Sequence, residues 1–164
     1  MNLSIQKVTG VAMLIAINII LGKISVGPAF AAVNFGFISL VLAGYLYGVK
    51  LTMLAAVLAN LLAFTIMGSG AFSFWFVIPA AIAGATYGLL HKPSLFRIFI
   101  VNIVVVVGVS FLFNTSLIAY VYHLNYEALL TTRIFKMITS LIVQVIVTYM
   151  LLNHTAMINL KKQR

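Results

Sequence analysis

Between Lys50 and Lys92 the chain reads LTMLAAVLANLLAFTIMGSGAFSFWFVIPAAIAGATYGLLH (residues 51–91), which is 41 residues without an ionised side chain. A transmembrane helix needs about 20 predominantly apolar residues, so this stretch is long enough for two of them. Near its middle, the sequence GSGAFS at residues 68–73 is typical of a turn. The stretch therefore predicts two membrane-spanning helices joined by a hairpin.

The remaining sequence divides in the same way, because further long gaps between charges lie on both sides of this stretch. We predict an all-α, polytopic membrane protein with a single integral membrane domain over residues 1–164 and a bundle of six transmembrane helices. The predicted spans are residues 8–21, 35–47, 51–67, 74–90, 98–120 and 134–152. The second span is short, so we expect part of the preceding loop, residues 24–34, to dip into the membrane and be buried in protein.

The composition supports a membrane protein. The chain is 64% hydrophobic and 7% charged, whereas soluble domains are about 45–50% apolar and about 25% charged. The net charge of +9 follows from the positive-inside rule, so no nucleic-acid partner is expected. With six spans, both termini lie on the same side of the membrane, together with seven of the ten basic residues, which predicts cytoplasmic termini. The other three, Lys23, Arg133 and Lys136, lie on the opposite side.

Catalysis is not expected, since Glu127 is the only acidic residue and cannot form a carboxylate pair. The chain lacks cysteine and a phosphate-binding loop, and its three histidines are too far apart in the sequence to predict a metal site. No acidic residue or histidine lies mid-span to couple transport to ions. A pore, a facilitator or a subunit of a larger powered machine remains.

Polar side chains within the spans are the candidates for ligand contacts, since an unpaired amide in hydrocarbon is costly. Arg133 and Lys136 are three residues apart, so they share a helix face and could hold a carboxylate. Interhelical hydrogen bonds, an aromatic belt at the interface and snorkelling cations are the alternative explanations. The candidate substrate-binding residues are Lys23, Asn60, Phe72, Trp75, Asn114, Arg133, Lys136 and Gln144.

Small residues recur at four-residue spacing, which lets helix backbones approach closely in lipid. The pairs Ala12/Ala16 and Gly44/Gly48 and the series Ala80, Gly84 and Gly88 show this pattern. We expect internal helix packing from the second and fourth spans.

Several short motifs, in this order, resemble the substrate-binding S components of energy-coupling factor (ECF) vitamin transporters, most closely their folate-type branch. They are FGFISL at 35–40 with LAG at 42–44, GSGAF at 68–72, AGATYGL at 83–89, Asn114-Thr115, and RIFK at 133–136. The resemblance implies a six-helix protein of the bacterial plasma membrane that captures a vitamin outside the cell. It also implies partners, namely a transmembrane coupling subunit and two ATPases, and a docking face on the first helix at Ala12 and Ala16.

Two positions depart from the folate-type pattern. Ala32 stands where an arginine usually precedes the FGF stretch, and Asn60 stands where an aspartate is common. The ligand is therefore left open between folate and pantothenate, a smaller anion with hydroxyl and amide groups that suits asparagine together with lysine and arginine at least as well as folate does. Hydroxymethylpyrimidine or another vitamin comes third, and a structural or pore-forming membrane protein is the alternative of a different class.

Overall fold

A computed structural model of the chain describes residues 5–27, 33–67, 74–91 and 93–153. Helices dominate these residues, as predicted. The α-helices are α1 (Ile5–Lys23), α2 (Phe37–Tyr47), α3 (Val49–Met67), α4 (Val77–Gly88), α5 (Leu95–Ile103), α6 (Asn114–Tyr122) and α7 (Tyr126–Leu152). Short 3₁₀ turns, Phe74–Phe76 and Leu89–His91, flank α4, and a π-helix, Val104–Phe113, joins α5 to α6.

Five helical stretches among the described residues are long and apolar enough to cross a membrane. They are Ile5–Lys23, Val49–Ile66, Phe74–His91, Leu95–Tyr122 and Tyr126–Leu152. The α2 helix is apolar but has only 11 residues, or about 16 Å of length. The all-helical architecture is thus confirmed. The described residues contain five helical stretches of membrane-spanning length and, in addition, the shorter apolar helix α2.

The last helix begins eight residues earlier than the predicted span, which changes the setting of its two cations. Asn125 caps it, accepting hydrogen bonds at Oδ1 from the backbone N–H of Glu127 (3.0 Å) and Ala128 (3.5 Å). The Glu127 carboxylate in the first turn also favours a helix start there. Arg133 and Lys136 consequently lie inside the helix rather than at its beginning.

The fifth span differs from the prediction in helix type. Residues Val104–Phe113 are π-helical, and the backbone N–H of Asn114 bonds to the carbonyl of Val109, five residues earlier. A π-helix is rare and is frequently found at functional sites. This segment contains no proline and its apolar pattern is continuous, so the sequence predicts only an uninterrupted helix.

Glycines bring α2, α3 and α4 into backbone contact, as the four-residue spacing predicts. A Cβ atom added to Gly44 would collide with the backbone of Tyr87, and one added to Gly88 would collide with the backbone of Val49. At Gly84 it would lie 2.8 Å from the carbonyl oxygen of Thr52.

Gly48 and Ala80 serve other purposes than that packing. Gly48 has a φ of +75°, which only glycine adopts without strain, in the turn between α2 and α3. Ala80 lines a cavity described below.

The bundle has two different ends. At the closed end, where α2, α4 and α7 finish, buried apolar side chains pack into one core: Phe37, Val41, Tyr45, Tyr87, Leu90, Ile98, Val101, Val105 and Leu152. A second, smaller core joins α1 to α3. At the open end, where α1, α3 and α6 finish and α7 begins, the helices surround a cavity.

A small antiparallel hairpin follows α1 at the open end, pairing Ser25 with Asn34 and Val26 with Val33. Val33 is buried, in line with the prediction that this loop enters the protein, whereas Ile24 and Val26 are exposed. Ala32 and residues 28–31 lie outside the described part of the chain.

Candidate functional site

The open end contains a cavity of about 690 Å³, a size typical of small-molecule sites. Its walls come from every α-helix except α5, together with the hairpin and the π-helix, and most of the lining is apolar. The polar or charged side chains in the wall are Asn18, Asn34, Asn60, Tyr87, Ser110, Asn114, Tyr122, Arg133, Lys136, Ser140 and Gln144. Apolar walls with a few convergent polar groups are what a small-molecule ligand requires.

Two cations of α7, Arg133 and Lys136, reach this cavity. Arg133 is half-buried, and its Nη1 donates a hydrogen bond to Oγ1 of Thr115 (3.2 Å), a buried residue of α6. Glu127, the single acid of the chain, is exposed, and no ion pair to either cation forms within the described residues. The two positive charges are therefore available to an anionic group in the cavity.

Two amides in the wall, Asn60 of α3 and Asn114 of α6, have an unused acceptor. The Oδ1 atoms of both are buried and have no hydrogen-bond partner in the described part of the chain. Leaving a buried polar atom unpaired costs about 1–3 kcal/mol. These oxygens would be satisfied by N–H or O–H donors of a ligand.

A third amide, Gln144 of α7, is held in a defined orientation. The hydroxyl of Tyr87 donates a hydrogen bond to Oε1 of Gln144 (2.8 Å). Tyr87 is 1% exposed. Because Oε1 is engaged, the group that Gln144 offers to the cavity is its Nε2 amino group, a donor.

Asn18, in the C-terminal half of α1, lines the cavity and connects α1 to α2 by hydrogen bonds. Its Nδ2 donates hydrogen bonds to the carbonyl oxygen of Gly36 (2.8 Å) and to Oγ of Ser39 (2.7 Å). Ser39 in turn donates to the same carbonyl (2.9 Å). This cluster ties α1 to the start of α2, on either side of the hairpin.

The structure brings together five of the eight candidate substrate-binding residues: Asn60, Asn114, Arg133, Lys136 and Gln144 all line the cavity. Lys23 and Trp75 do not line it and are exposed, and Phe72 lies outside the described residues. Among the other mid-span amides, Asn102 is fully buried away from the cavity and donates to its own helix at Ile98. The assignment of substrate contacts itself stays a prediction.

Sequence reasoning missed Tyr87 as a cavity residue. The segment AGATYG at residues 83–88 indicates close packing through its glycines, and the tyrosine between them carries no separate signal. Its position only becomes clear from the fold, because the backbone contact of Gly44 fixes Tyr87 while its ring extends to Gln144.

Comparison with known proteins supports this reading of the chain. No protein-family model matches it. The chain is 28% identical over 152 residues to the folate transporter FolT of Leuconostoc mesenteroides, covering 87% of this chain and 82% of that protein. The resemblance to the folate-type S components is confirmed.

A solved structure has the same fold as this chain. The crystal structure of FolT bound with folic acid superimposes with a TM-score of 0.81 over 90% of this chain and 93% of that one, at 21% sequence identity. The arrangement of helices around the cavity is therefore that of a known fold. The five membrane-length helices among the described residues and the sequence similarity to a transporter indicate a multi-pass membrane protein.

Proposed function

We propose that this protein is the folate-binding S component of an ECF-type importer. The observation that carries the proposal is the composition of the cavity: toward the open end lie two cations that have no acidic partner among the described residues, and nearer the closed end lie the neutral amides of Asn60 and Gln144. Folate has the matching composition, because its glutamate tail is anionic and its pterin ring carries N–H donors and a carbonyl acceptor.

The spacing of these groups along α7 fits a ligand of folate's length. Arg133 and Lys136 lie about 16 Å and about 12 Å along the helix axis from Gln144. The extended path from the pterin carbonyl carbon to the α-carboxylate of folate is about 16 Å, and the path from end to end of pantothenate is about 10 Å. The separation of cations and amide therefore favours folate over the shorter anion.

The pterin end belongs at the inner level of the cavity under this proposal. Asn60 lies about 16 Å from the start of α3 and Gln144 about 12 Å from the end of α7, so the two amides stand at similar depth above the closed end. The unpaired Oδ1 of Asn60 would accept from an N–H of the pterin ring, and Nε2 of Gln144 would donate to a ring acceptor. The glutamate carboxylates would then reach Arg133 and Lys136.

The same proposal includes the membrane arrangement and the partners. Six spans, with the short α2 as the second, would put both termini in the cytoplasm and the cavity at the outer face of the bacterial plasma membrane. Transport energy would come from two ATPases through a transmembrane coupling subunit. Ala12 and Ala16 support a docking role because both are exposed on α1, whereas the buried residues of that helix are Val11 and Ile15.

The test is ligand binding by the purified protein. Binding of folic acid, pantothenate and hydroxymethylpyrimidine is measured by thermal unfolding and by titration calorimetry. A ligand that binds only the folded state raises the melting temperature, and we expect folic acid to do so. Arg133→Gln or Lys136→Gln should weaken folic acid binding by about 1.5–3 kcal/mol, as expected for the loss of a charge-assisted hydrogen bond.

Lys50→Gln is the matched control, since Lys50 is an exposed cation at the closed end. Equal folic acid binding by all of these variants would mean that the α7 cations do not contact the ligand and instead snorkel to the membrane interface. Failure of every vitamin to stabilise the protein, together with solute flux through liposomes that contain it alone, would favour the pore instead.

A further inference from the structure

Tyr87 combines three properties that no packing role requires together. It is 1% exposed, it belongs to the wall of the cavity, and its hydroxyl donates to Oε1 of Gln144 at 2.8 Å. Its backbone is held against Gly44, where an added Cβ atom would collide with the Tyr87 carbonyl. The Tyr87 backbone is thus fixed in place, and the more flexible side chain of Gln144 adjusts to the phenol.

The consequence for Gln144 follows from the chemistry of its amide. A glutamine side chain can turn either its carbonyl oxygen or its amino group toward a ligand, so an unrestrained glutamine accepts or donates as required. With Oε1 engaged by the phenol, turning the amide over would replace this hydrogen bond with one from Nε2 to the phenol oxygen and leave the buried hydroxyl proton without an acceptor. The hydrogen bond therefore favours the orientation in which Gln144 is a donor toward the cavity.

We propose that Tyr87 is a positioning residue that determines ligand specificity by holding Gln144 as a donor toward the bound heterocycle. The inference rests on the proposed folate-binding function. It names the feature of the heterocycle that is selected: an acceptor, such as the 4-oxo group of folic acid, rather than a donor, such as the 4-amino group of aminopterin. The two compounds share the same acidic tail and differ only at the C4 substituent and at the neighbouring N3, which carries a proton in folic acid and none in aminopterin.

The experiment measures dissociation constants of folic acid and aminopterin by titration calorimetry, for the wild-type protein and for Tyr87→Phe. Wild type should bind folic acid at least about tenfold more tightly, because a donor facing a donor leaves both groups unpaired. Tyr87→Phe keeps the ring and frees the amide to turn, so the ratio of the two constants should fall toward one, mainly through tighter aminopterin binding.

A second variant, Gln144→Met, removes the amide while keeping a side chain of similar length. Its ratio should also approach one, and adding Tyr87→Phe to it should change the ratio no further, because the tyrosine acts through the glutamine. Independent effects of the two substitutions on the ratio would overturn the inference.

Three further outcomes have separate meanings. If Tyr87→Phe weakens both ligands by the same factor, the tyrosine is only structural and the inference is wrong. If wild type binds both ligands equally well, the selected edge does not face Gln144, and the inference fails while the proposed function stands. If wild type binds neither ligand, the proposed function itself fails.

Discussion

At the scale of single residues, Asn60 is the position where this chain differs most informatively from the folate-type pattern, in which an aspartate is common. Its Oδ1 is buried, lies in the cavity wall and has no partner among the described residues. An amide offers one acceptor and two donors, whereas a carboxylate offers two acceptors. We therefore expect this residue to distinguish ligands with a donor edge from ligands with mixed hydroxyl and amide groups.

Asn60→Asp should separate folate from pantothenate when one variant is titrated with both vitamins. If the pterin edge faces position 60, a carboxylate suits its N–H donors, and folic acid binding should be unchanged or tighter. A pantothenate site would lose about 1–3 kcal/mol, since a second buried acceptor would meet no donor. Asn153→Asp, an exposed amide outside the cavity, should leave both titrations unchanged, and equal small effects at position 60 would show that Asn60 does not reach the ligand.

Residue spacing was sufficient to predict the cations of the site but not the amide geometry. Arg133 and Lys136 share a face because helix periodicity requires it, and both reach the cavity. The orientation of Gln144 depends on Tyr87, which is 57 residues away in the chain, and no local pattern reports such a contact. Lys23 and Trp75, which the predicted topology puts at the same outer end of the spans as Arg133 and Lys136, are exposed and do not line the cavity.

At the scale of helices, the contact of α4 with α3 depends on glycine at position 84. An added Cβ there would lie 2.6 Å from Cβ of Ala56 and 2.8 Å from the carbonyl oxygen of Thr52. The backbone atom cannot yield without separating the two helices. Four-residue glycine spacing predicts this contact, because its physical cause, close approach, is local to each helix.

Gly84→Ala should destabilise the protein by about 1–3 kcal/mol, the usual cost of overpacking, seen as a lower melting temperature in detergent. Gly108→Ala is the matched control, since Gly108 is also helical and an added Cβ there meets nothing within 4 Å. Its melting temperature should be unchanged or higher, because alanine loses less backbone entropy than glycine. Similar losses in both variants would contradict the packing argument.

The start of α7 and the helix type of residues 104–113 were the features of the fold that the sequence predicted least well. The spans were assigned from charge-free windows, so the polar first turns of α7 were excluded although Asn125 and Glu127 favour a helix start. The π-helix has no pattern of its own in an apolar segment. Both depend on local backbone hydrogen bonding, to which hydropathy is insensitive.

At the scale of the whole molecule, substitutions on the exposed face of α1 should abolish transport without affecting ligand binding. Replacing Ala12 or Ala16 with Trp should leave folic acid binding intact and abolish uptake by cells that contain the complete transporter, since a large side chain prevents close helix approach at the proposed docking face. Ala128→Trp, at an exposed alanine of α7, should support normal uptake. Loss of binding together with uptake would mean that the alanines pack internally, and normal uptake would contradict the docking role.

The π-helix also determines where the chain tolerates changes of length. With the amide of Asn114 bonded five residues back to Val109, each turn here contains more residues than an α-helical turn. Deleting one residue from 104–113 can convert a turn to α-helix and leave Thr115 in contact with Arg133. The same deletion in α3 would rotate every following side chain by about 100°, so in related chains single-residue gaps should accumulate in the π-helix and be absent from α3.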